Sequence, residues 1–306
     1  PWYDKGLTNE TLTWEKSIDK NIGLDLTFAG GKYGFNFDFY WKESKGKLFD
    51  VFLPNTSGYK MIYTNGQNVL NYGYEFAVYV DLLPGTSKLR WSINANAALN
   101  RNILLSIGTD NRDVYDRFSE RLLRVGRPLN DFYVHQTLGV YASDADVPVN
   151  PKTGFRLAGS DSRYPFKGGD IMVRAIDGDY RVGYEVNNTR GELISDDKIY
   201  GGNPNPTVNG GFRSDFRYKQ FSLSVFFVYS LGRKIINSTL ADRISPAKLL
   251  TPNSIPDVSD VNFWEKQGDI AEYPAYNPFN KNNYINYSYK QTLFVEDGSF
   301  ARLYNR

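Results

Sequence analysis

The most regular feature of the sequence is an alternation of apolar and polar residues in two neighbouring segments. The apolar members are Ile22, Leu24, Leu26 and Phe28, followed by Tyr33, Phe35, Phe37, Phe39 and Trp41. The segment 29–32, Ala-Gly-Gly-Lys, separates the two runs, and glycine pairs of this kind occur in tight turns. A period of two on both sides of a turn predicts a β-hairpin with one apolar face and one polar face.

The same test predicts further strands along the whole chain. Regular alternation occurs at 70–82, 88–99 and 220–231. Less regular candidates lie at 117–125, 131–141, 208–218, 286–296 and 299–306. Together with the hairpin these make about ten strands, so the sequence predicts an all-β fold of antiparallel strands.

The connections between the predicted strands alternate between short and long. Short ones lie at 29–32, 82–87, 126–130, 218–220 and 296–299, and long loops are expected near 44–69, 100–116, 142–207 and 232–285. In an up-and-down antiparallel sheet, this order places every tight turn at one end and every long loop at the other. Outer-membrane barrels have this arrangement, with short periplasmic turns and long extracellular loops.

Strand length and aromatic content favour the same class. Four predicted strands run about 10 to 13 residues, whereas about five or six are usual in soluble sheets and roughly 9 to 11 tilted residues cross a bilayer. Aromatic residues make up 16% of the chain, and rings near strand ends suit the headgroup girdles of a transmembrane barrel. A soluble sandwich or a lipocalin-like barrel would show the same alternation, so it stays an alternative.

In a transmembrane barrel the apolar face of these strands would contact lipid and the polar face would line a wet lumen. The residues expected to face the lumen are Asn36, Asp38, Glu75, Asn94 and Asn96.

Composition excludes several other classes. The net charge is +2, with Lys and Arg scattered among acidic residues, so there is no electrostatic footprint of a nucleic-acid binder. The chain has no cysteine, which excludes disulfides, thiolate metal sites and a cysteine nucleophile. No apolar run approaches the roughly 18 to 20 residues of a membrane-spanning helix.

The sequence contains no complete motif for catalysis, cofactor binding or metal binding. Asp177, Asp179, Glu192, Asp196 and Asp197 could bind calcium in a loop, but the glycine and the final glutamate of an EF-hand are missing, and solvated turn carboxylates are the alternative. The single histidine, His135, has no second histidine to complete a metal site or a triad, so we expect it to be structural or lumen-lining. We therefore expect no cofactor, no metal and no enzyme activity.

The best candidates for binding are aromatic residues in the loop near 232–285. They are Phe263, Trp264, Tyr273, Tyr276 and Phe279. Rings stack on sugar faces or grip peptide side chains, and exposed aromatic residues on loops often mark binding sites. We expect contact with substrate or with a lid here, and the alternative is that the loop packs on itself or on a partner protein.

Several stretches together resemble a known family. They are LTWEKSIDKNIGLDL (12–26), NYGYEF (71–76), GNPNPTVNGGF (202–212) and VEDGSFARLYN (295–305). In this order they are similar to the C-terminal half of SusC/RagA-type TonB-dependent transporters of Bacteroidota. The chain departs from the family pattern after DGDY (177–180), where RVGYEVNNTRGELISDDKIY replaces a short acidic turn.

The resemblance implies a 22-stranded outer-membrane barrel with an N-terminal plug, energised through TonB. It also implies a SusD-like surface lipoprotein as partner and oligosaccharides or peptides as cargo. Residues 1–306 would then be the C-terminal portion of the barrel, with the plug outside this chain. Two other classes stay open: an autonomous outer-membrane barrel that acts as adhesin or enzyme, and a soluble secreted β-protein that binds glycans.

Overall fold

The chain divides into two compact units. The computed structural model describes residues 7–53, 57–59, 61–83, 85–108, 111, 113–116, 121–159, 161–176, 178, 180–182, 197–250 and 256–304. The first unit, here called the sheet unit, consists of Pro1–Asp131, Asn203–Lys234 and Asp297–Arg306. The second, here called the loop unit, consists of Phe132–Gly202 and Ile235–Glu296.

Strands dominate the described residues. They are β1 (Lys16–Phe28), β2 (Tyr33–Phe52), β3 (Met61–Asp81), β4 (Leu89–Ser106), β5 (Val114–Asp116), β6 (Arg121–Leu123), β7 (Phe132–His135), β8 (Thr137–Val140), β9 (Ile171–Val173), β10 (Lys198–Gly202), β11 (Val208–Tyr218), β12 (Phe221–Leu231), β13 (Lys234–Ile236), β14 (Val295–Asp297) and β15 (Phe300–Tyr304). The helices are α1 (Ser238–Ile244) and α2 (Asn283–Asn286), with 3-10 turns at Ala29–Gly31, Asp144–Asp146, Pro246–Leu250 and Thr292–Phe294. Among the helices that the structure describes, none is long and apolar enough to cross a bilayer.

The sheet unit is built on one seven-stranded antiparallel sheet in the order β1-β2-β3-β4-β11-β12-β15. The predicted hairpin forms its first two strands, and its turn uses Gly30 and Gly31 at φ 66° and 91°, a region that glycine adopts without strain. Register fixes the two faces of the sheet. One row across it is Leu24, Phe37, Phe76, Ala97, Gly210, Tyr229 and Ala301, and the neighbouring row is Gly23, Asp38, Glu75, Ala98, Asn209, Ser230 and Phe300.

The first row belongs to what we call the apolar face, and the second belongs to the polar face. Large side chains on the apolar face remain exposed: Ile22 is 68% exposed, Leu223 60% and Leu303 55%. A soluble sandwich would cover such a face with a second sheet. A barrel wall instead presents it to lipid, and this is the arrangement that the alternation predicted.

Three predicted strands are not part of this sheet, which therefore has seven strands rather than about ten. Segment 131–141 contains β7 and β8, which pair with β10 and β9 in two-stranded sheets of the loop unit. Neighbouring residues there, such as Tyr133 and Val134, are both buried, so this apolar stretch packs into a loop core instead of alternating between lipid and water.

The other two of these three segments, 286–296 and 117–125, also do not form the predicted strands. In 286–296 the end of α2, a 3-10 turn and part of β14 replace the predicted strand, and the apolar side chain of Phe294 is buried in the loop unit. In 117–125 only β6 is a strand, and 117–120 lie outside the described residues. The short connection expected at 296–299 joins β14 to β15, but it is not a turn within the large sheet, because β14 pairs with β13 and only β15 pairs with β12.

The predicted loop boundaries also change. The loop expected near 44–69 shrinks to 53–60, because β2 and β3 extend towards each other past charged and amide residues. The loop near 100–116 begins only after Ser106, and the two longest connections become 107–207 and 232–299. These strand ends pack against connecting segments: Val69 and Leu104 are buried in a cluster, and Phe49 packs against it. Because they do not lie between lipid and water, they need no strict alternation, which explains why the pattern failed to reveal them. The tight turns still lie at one end of the sheet and the longer connections at the other.

The loop unit has its own hydrophobic cores. Tyr141, Leu157, Phe166, Ile171 and Val182 are buried in one cluster. Ala241, Ile244, Tyr287 and Phe294 form a second one. Helix α1 enters this second cluster after Asn237, whose side-chain oxygen accepts a hydrogen bond from the backbone N–H of Leu240 at 2.9 Å. The long connections thus fold as a packed unit and not as extended chain.

Candidate functional site

The polar face of the sheet carries a concave site of about 330 Å³. Its polar lining is Asn36, Asp38, Glu75, Asn96 and Asn209. Four of the five residues predicted to face the lumen therefore lie together. The fifth, Asn94, is on the same face two residues from Asn96, opposite Arg213. That this face borders a lumen stays a prediction.

Hydrogen bonds across the strands hold the amides of this site. Asn36 donates to the carboxylate of Asp25 on β1. The side-chain oxygen of Asn96 accepts from the backbone N–H of Gly211 at 2.6 Å, and its backbone oxygen accepts from the hydroxyl of Tyr229 at 2.8 Å. These contacts fix the orientation of the amides on a rigid sheet, which suits recognition of polar groups.

The two carboxylates of this site indicate a wet surface. Asp38 on β2 lies directly opposite Glu75 on β3. Like charges directly opposite one another destabilise a sheet, and the repulsion is tolerable where water or a cationic ligand screens it. The pair therefore fits a solvent-filled interior and does not fit a dry core.

The predicted aromatic residues fall into two groups. The ring of Phe263 contacts those of Tyr273 and Tyr276 in tilted arrangements, with centroids 6.3 and 4.8 Å apart. Trp264 donates from its indole Nε1 to the backbone oxygen of Ala142 at 3.0 Å. These four rings make contacts inside the loop unit, and their contact with substrate or a lid stays a prediction. Phe279 differs, because 75% of its side chain is exposed.

The hydrogen bonds of this loop converge on a carboxylate that was not among the residues predicted from the sequence. Asp170 is fully buried and accepts hydrogen bonds from Asn280 at 2.6 Å, Asn286 at 2.8 Å and Asn282 at 2.9 Å. A fourth donor is the backbone N–H of Lys167 at 3.0 Å. The asparagine-rich run 277–286 was the available signal, but its partner more than a hundred residues away could not be deduced from spacing. The network holds the segment that carries Phe279 against Asp170.

His135 is a structural residue of the loop unit. It is 7% exposed, in β7 opposite Lys198 of β10. Burial, and secondarily the charge of Lys198, lower the pKa of His135 to about 4. The imidazole is therefore uncharged at neutral pH. This agrees with the structural role expected for a lone histidine.

Acid is expected to loosen the loop unit through His135. The folded pKa lies below the unfolded value near 6.5, so the unfolded chain binds the extra proton first as the pH falls. Stability is fully present above about pH 6.5 and is lost towards pH 4, by about 2 kcal/mol at about pH 5. Limited proteolysis of the full-length protein at about pH 7.5 and about pH 5 checks this. His135→Gln should show less acid sensitivity than the wild type, and an equal loss in both would contradict the assignment.

A metal site is not defined by the described residues. No group of three or more His, Asp or Glu side chains there could hold a metal ion. Four members of the calcium candidate, Asp177, Asp179, Glu192 and Asp196, lie outside the described residues. The fifth, Asp197, is 2% exposed and accepts a hydrogen bond from the backbone N–H of Ile176 at 2.8 Å.

Comparison with known proteins shows which proteins are similar to this chain. TonB-dependent receptor P3 of Formosa agariphila is 29% identical over 305 residues, which cover 97% of this chain and 27% of that protein. TonB-dependent receptor SusC of Bacteroides thetaiotaomicron is 24% identical over 265 residues, covering 82% of this chain and 23% of SusC. No protein-family model matches the chain. The chain thus spans about a quarter of the length of these curated relatives.

Solved structures show the same fold. The structure of the RagAB peptide transporter matches with a TM-score of 0.67 at 18% identity, over 97% of this chain and 29% of that one. The RagAB peptide importer in its open-open state gives 0.67 at 19% identity, over 97% and 28%. The two-faced antiparallel sheet is therefore part of the wall of an outer-membrane β-barrel. Over most of its length the chain is therefore similar in sequence to TonB-dependent receptors, SusC among them, and it has the fold of part of the RagAB transporter.

Proposed function

We propose that the complete protein is an active transporter in the outer membrane of a Gram-negative bacterium that imports oligosaccharides or peptides. This chain would supply barrel wall and extracellular loops. A SusD-like surface lipoprotein would cover the loops, and TonB would supply energy through a region outside this chain. The observation that carries the proposal is the sheet itself, with an exposed apolar face and a polar face bearing Asp38 and Glu75.

The open edges of the sheet support a larger barrel. Among the described strands, β1 and β15 have one neighbour each and are not paired with each other. Unpaired strand edges are costly in lipid, because no water replaces the missing backbone hydrogen bonds. This favours the transporter over an autonomous barrel made of these strands alone. The expected chemistry is binding and passage, with no bond-making step assigned to any residue here.

Uptake measurements in cells test the proposal. A strain expressing the complete receptor should take up its cargo, lose uptake when TonB is deleted, and take up much less without the lipoprotein. Deletion of 262–280 should impair uptake and lipoprotein capture, because it removes the aromatic loop. Undiminished uptake without TonB would contradict active transport, and an unaffected loop deletion would refute the loop assignment.

Phe279 and Phe263 form a matched pair for locating the contact surface. Phe279→Ala removes an exposed ring and should change the free energy of unfolding by no more than about 0.5 kcal/mol. If that ring contacts the lipoprotein or cargo, affinity should fall about tenfold. Phe263→Ala removes a packed ring and should destabilise the loop unit by about 3 kcal/mol. Thermal unfolding and pull-down of both variants check this, and unaltered binding by Phe279→Ala would remove Phe279 from the contact surface.

A further inference from the structure

The apolar face of the sheet, along the regularly paired and described stretches of its strands, carries charged residues only in the rows nearest the long connections. They are four cations and one acid: Lys16, Lys20, Lys45, Arg101 and Glu43. Register places Lys20, Trp41, Tyr72 and Arg101 in one row across β1 to β4. Lys16 lies directly opposite Lys45, further towards the long connections. We call the four cations the cationic rim.

The height of this rim matches the outer boundary of a membrane. On β4, Trp91 lies near the tight turns and Arg101 about ten residues further on, which is roughly 34 Å along the strand. Strands of a membrane barrel are tilted by about 40°, so this span rises by roughly 26 Å, close to the apolar band of about 25 Å in such barrels. Trp91 then belongs to the inner aromatic girdle, and Trp41 and Tyr72 belong to the outer one. Lys20 shares their row and therefore lies at the level of the outer-leaflet headgroups.

Acidic side chains on this face do not balance the charge of the rim. Four cations against one acid leave an excess of three positive charges. The acid, Glu43, is paired with Lys45 at 3.4 Å. The Nζ of Lys20 lies over the ring of Trp41, 4.6 Å from its centroid, and neither Lys20 nor Arg101 has an ion pair with a described residue.

Lys16 and Lys45 add a second reason to expect an anion. Like charges directly opposite one another destabilise a sheet, and a bound anion between them would remove the repulsion. The rim therefore favours an anionic ligand.

Apolar rows on both sides of the rim indicate what kind of molecule carries the anion. Ile22 and Phe39 lie one row nearer the tight turns, and Ile18 and Leu70 lie one row nearer the long connections. A ligand here must therefore combine anionic oxygens with apolar chains, as a lipid does. Cargo would pass on the polar face, on the other side of the wall. Lysine and arginine at such a boundary extend their charged ends to the headgroups, and basic patches bind lipid phosphates.

We propose that the cationic rim binds the phosphate groups of a phosphorylated lipid of the outer leaflet. Lys20 and Arg101 are three strand spacings apart, roughly 14 Å, so they hold separate phosphate groups. The guanidinium of Arg101 presents a planar fork of N–H donors that matches phosphate oxygens, and Lys20 acts as a point charge. The proposal rests on the sheet being a membrane barrel wall and does not depend on the proposed import function.

Lipid binding by the purified full-length receptor in detergent tests the proposal. The probes are diphosphorylated lipid A and the same lipid A after enzymatic removal of its phosphates, titrated and measured by native mass spectrometry. The phosphorylated form should bind about tenfold more tightly, because each cation near an anionic headgroup strengthens binding several-fold. Lys20→Ala/Arg101→Ala should lose most of this preference. Lys20→Gln/Arg101→Gln should lose it equally, although it keeps side chains that cover apolar surface, because charge is what the phosphate requires.

The matched control is Lys42→Ala/Arg213→Ala, which removes the same two residue types from the polar face. There Lys42 is paired with Asp19 at 3.7 Å and Arg213 with Asp215 at 2.9 Å. This variant should keep the preference for phosphorylated lipid, and heat-modifiable migration should show that every variant forms a folded barrel.

Three results would overturn the proposal. They are equal affinity for phosphorylated and dephosphorylated lipid A, an unchanged preference in Lys20→Ala/Arg101→Ala, and an equal loss of preference in the polar-face control. The measurement needs neither TonB nor cargo, so failure of the import function would leave the lipid contact standing, and failure of lipid binding would leave import untouched.

Discussion

Replacing Gly73 by alanine is expected to prevent the barrel wall from assembling. A Cβ atom at this position would lie 2.4 Å from the backbone oxygen of Leu99 and 2.7 Å from the ring of Tyr40. Tyr40 is the direct cross-strand partner of Gly73, and its hydroxyl donates to Asn100 at 2.6 Å. The ring crosses the glycine to reach the next strand, so a methyl group meets both backbone and a hydrogen-bonded side chain.

The expected cost is about 3 kcal/mol, because backbone cannot move aside within a continuous sheet. Heat-modifiable migration of the full-length receptor from outer membranes is the measurement, since a folded barrel resists detergent until heated. The matched control is Gly34→Ala, in β2 on the same face, where a Cβ would lie 3.5 Å from Tyr79 in ordinary contact. If both variants assembled like the wild type, the close approach of Tyr40 over Gly73 would be wrong.

Asp170→Asn is expected to destabilise the loop unit while the barrel still assembles. Each oxygen of the buried carboxylate accepts two of its four hydrogen bonds. An amide would place an NH₂ group against two of those donors, so buried N–H groups would lose their acceptor. The expected loss is about 3 to 5 kcal/mol.

Limited proteolysis in the run 277–286 should report this loss, with heat-modifiability unchanged. Asp161→Asn is the control, because Asp161 pairs with Arg163 at the surface, where solvent screens the attraction and loss of the charge should cost little. Equal protease resistance in the two variants would show that the Asp170 network does not hold the loop.

The barrel wall was predictable because lipid on one side and water on the other impose a period of two. Phe35, Phe37 and Phe39 alternate with polar residues, and the hairpin, its turn and the polar face followed from that pattern. The pattern failed where this contrast disappears. β2 continues past Lys45, and neighbouring residues of β7 are buried on both sides, so neither segment displays the alternation.

The candidate sites differ in the same way in how far the sequence predicts them. The grouping of Asn36, Asp38, Glu75 and Asn96 follows from strand periodicity plus register. The loop unit offers no such rule, because its contacts join distant segments, as Asp170 with Asn282 and Phe263 with Tyr276. Aromatic content singled out one loop as a binding candidate but could not separate its packed rings from the exposed Phe279.

Spin-label accessibility along 35–40 tests the central claim, that this sheet is a barrel wall with lipid on one face and water on the other. Single nitroxide labels would be placed at each position in a cysteine-free background of the full-length receptor in bilayers. We predict that lipid-dissolved oxygen collides most with labels at Phe35, Phe37 and Phe39, and that a water-soluble nickel chelate collides most with those at Asn36, Asp38 and Tyr40. Equal accessibility to the chelate on both faces would contradict the account, because the apolar face would then lie in water.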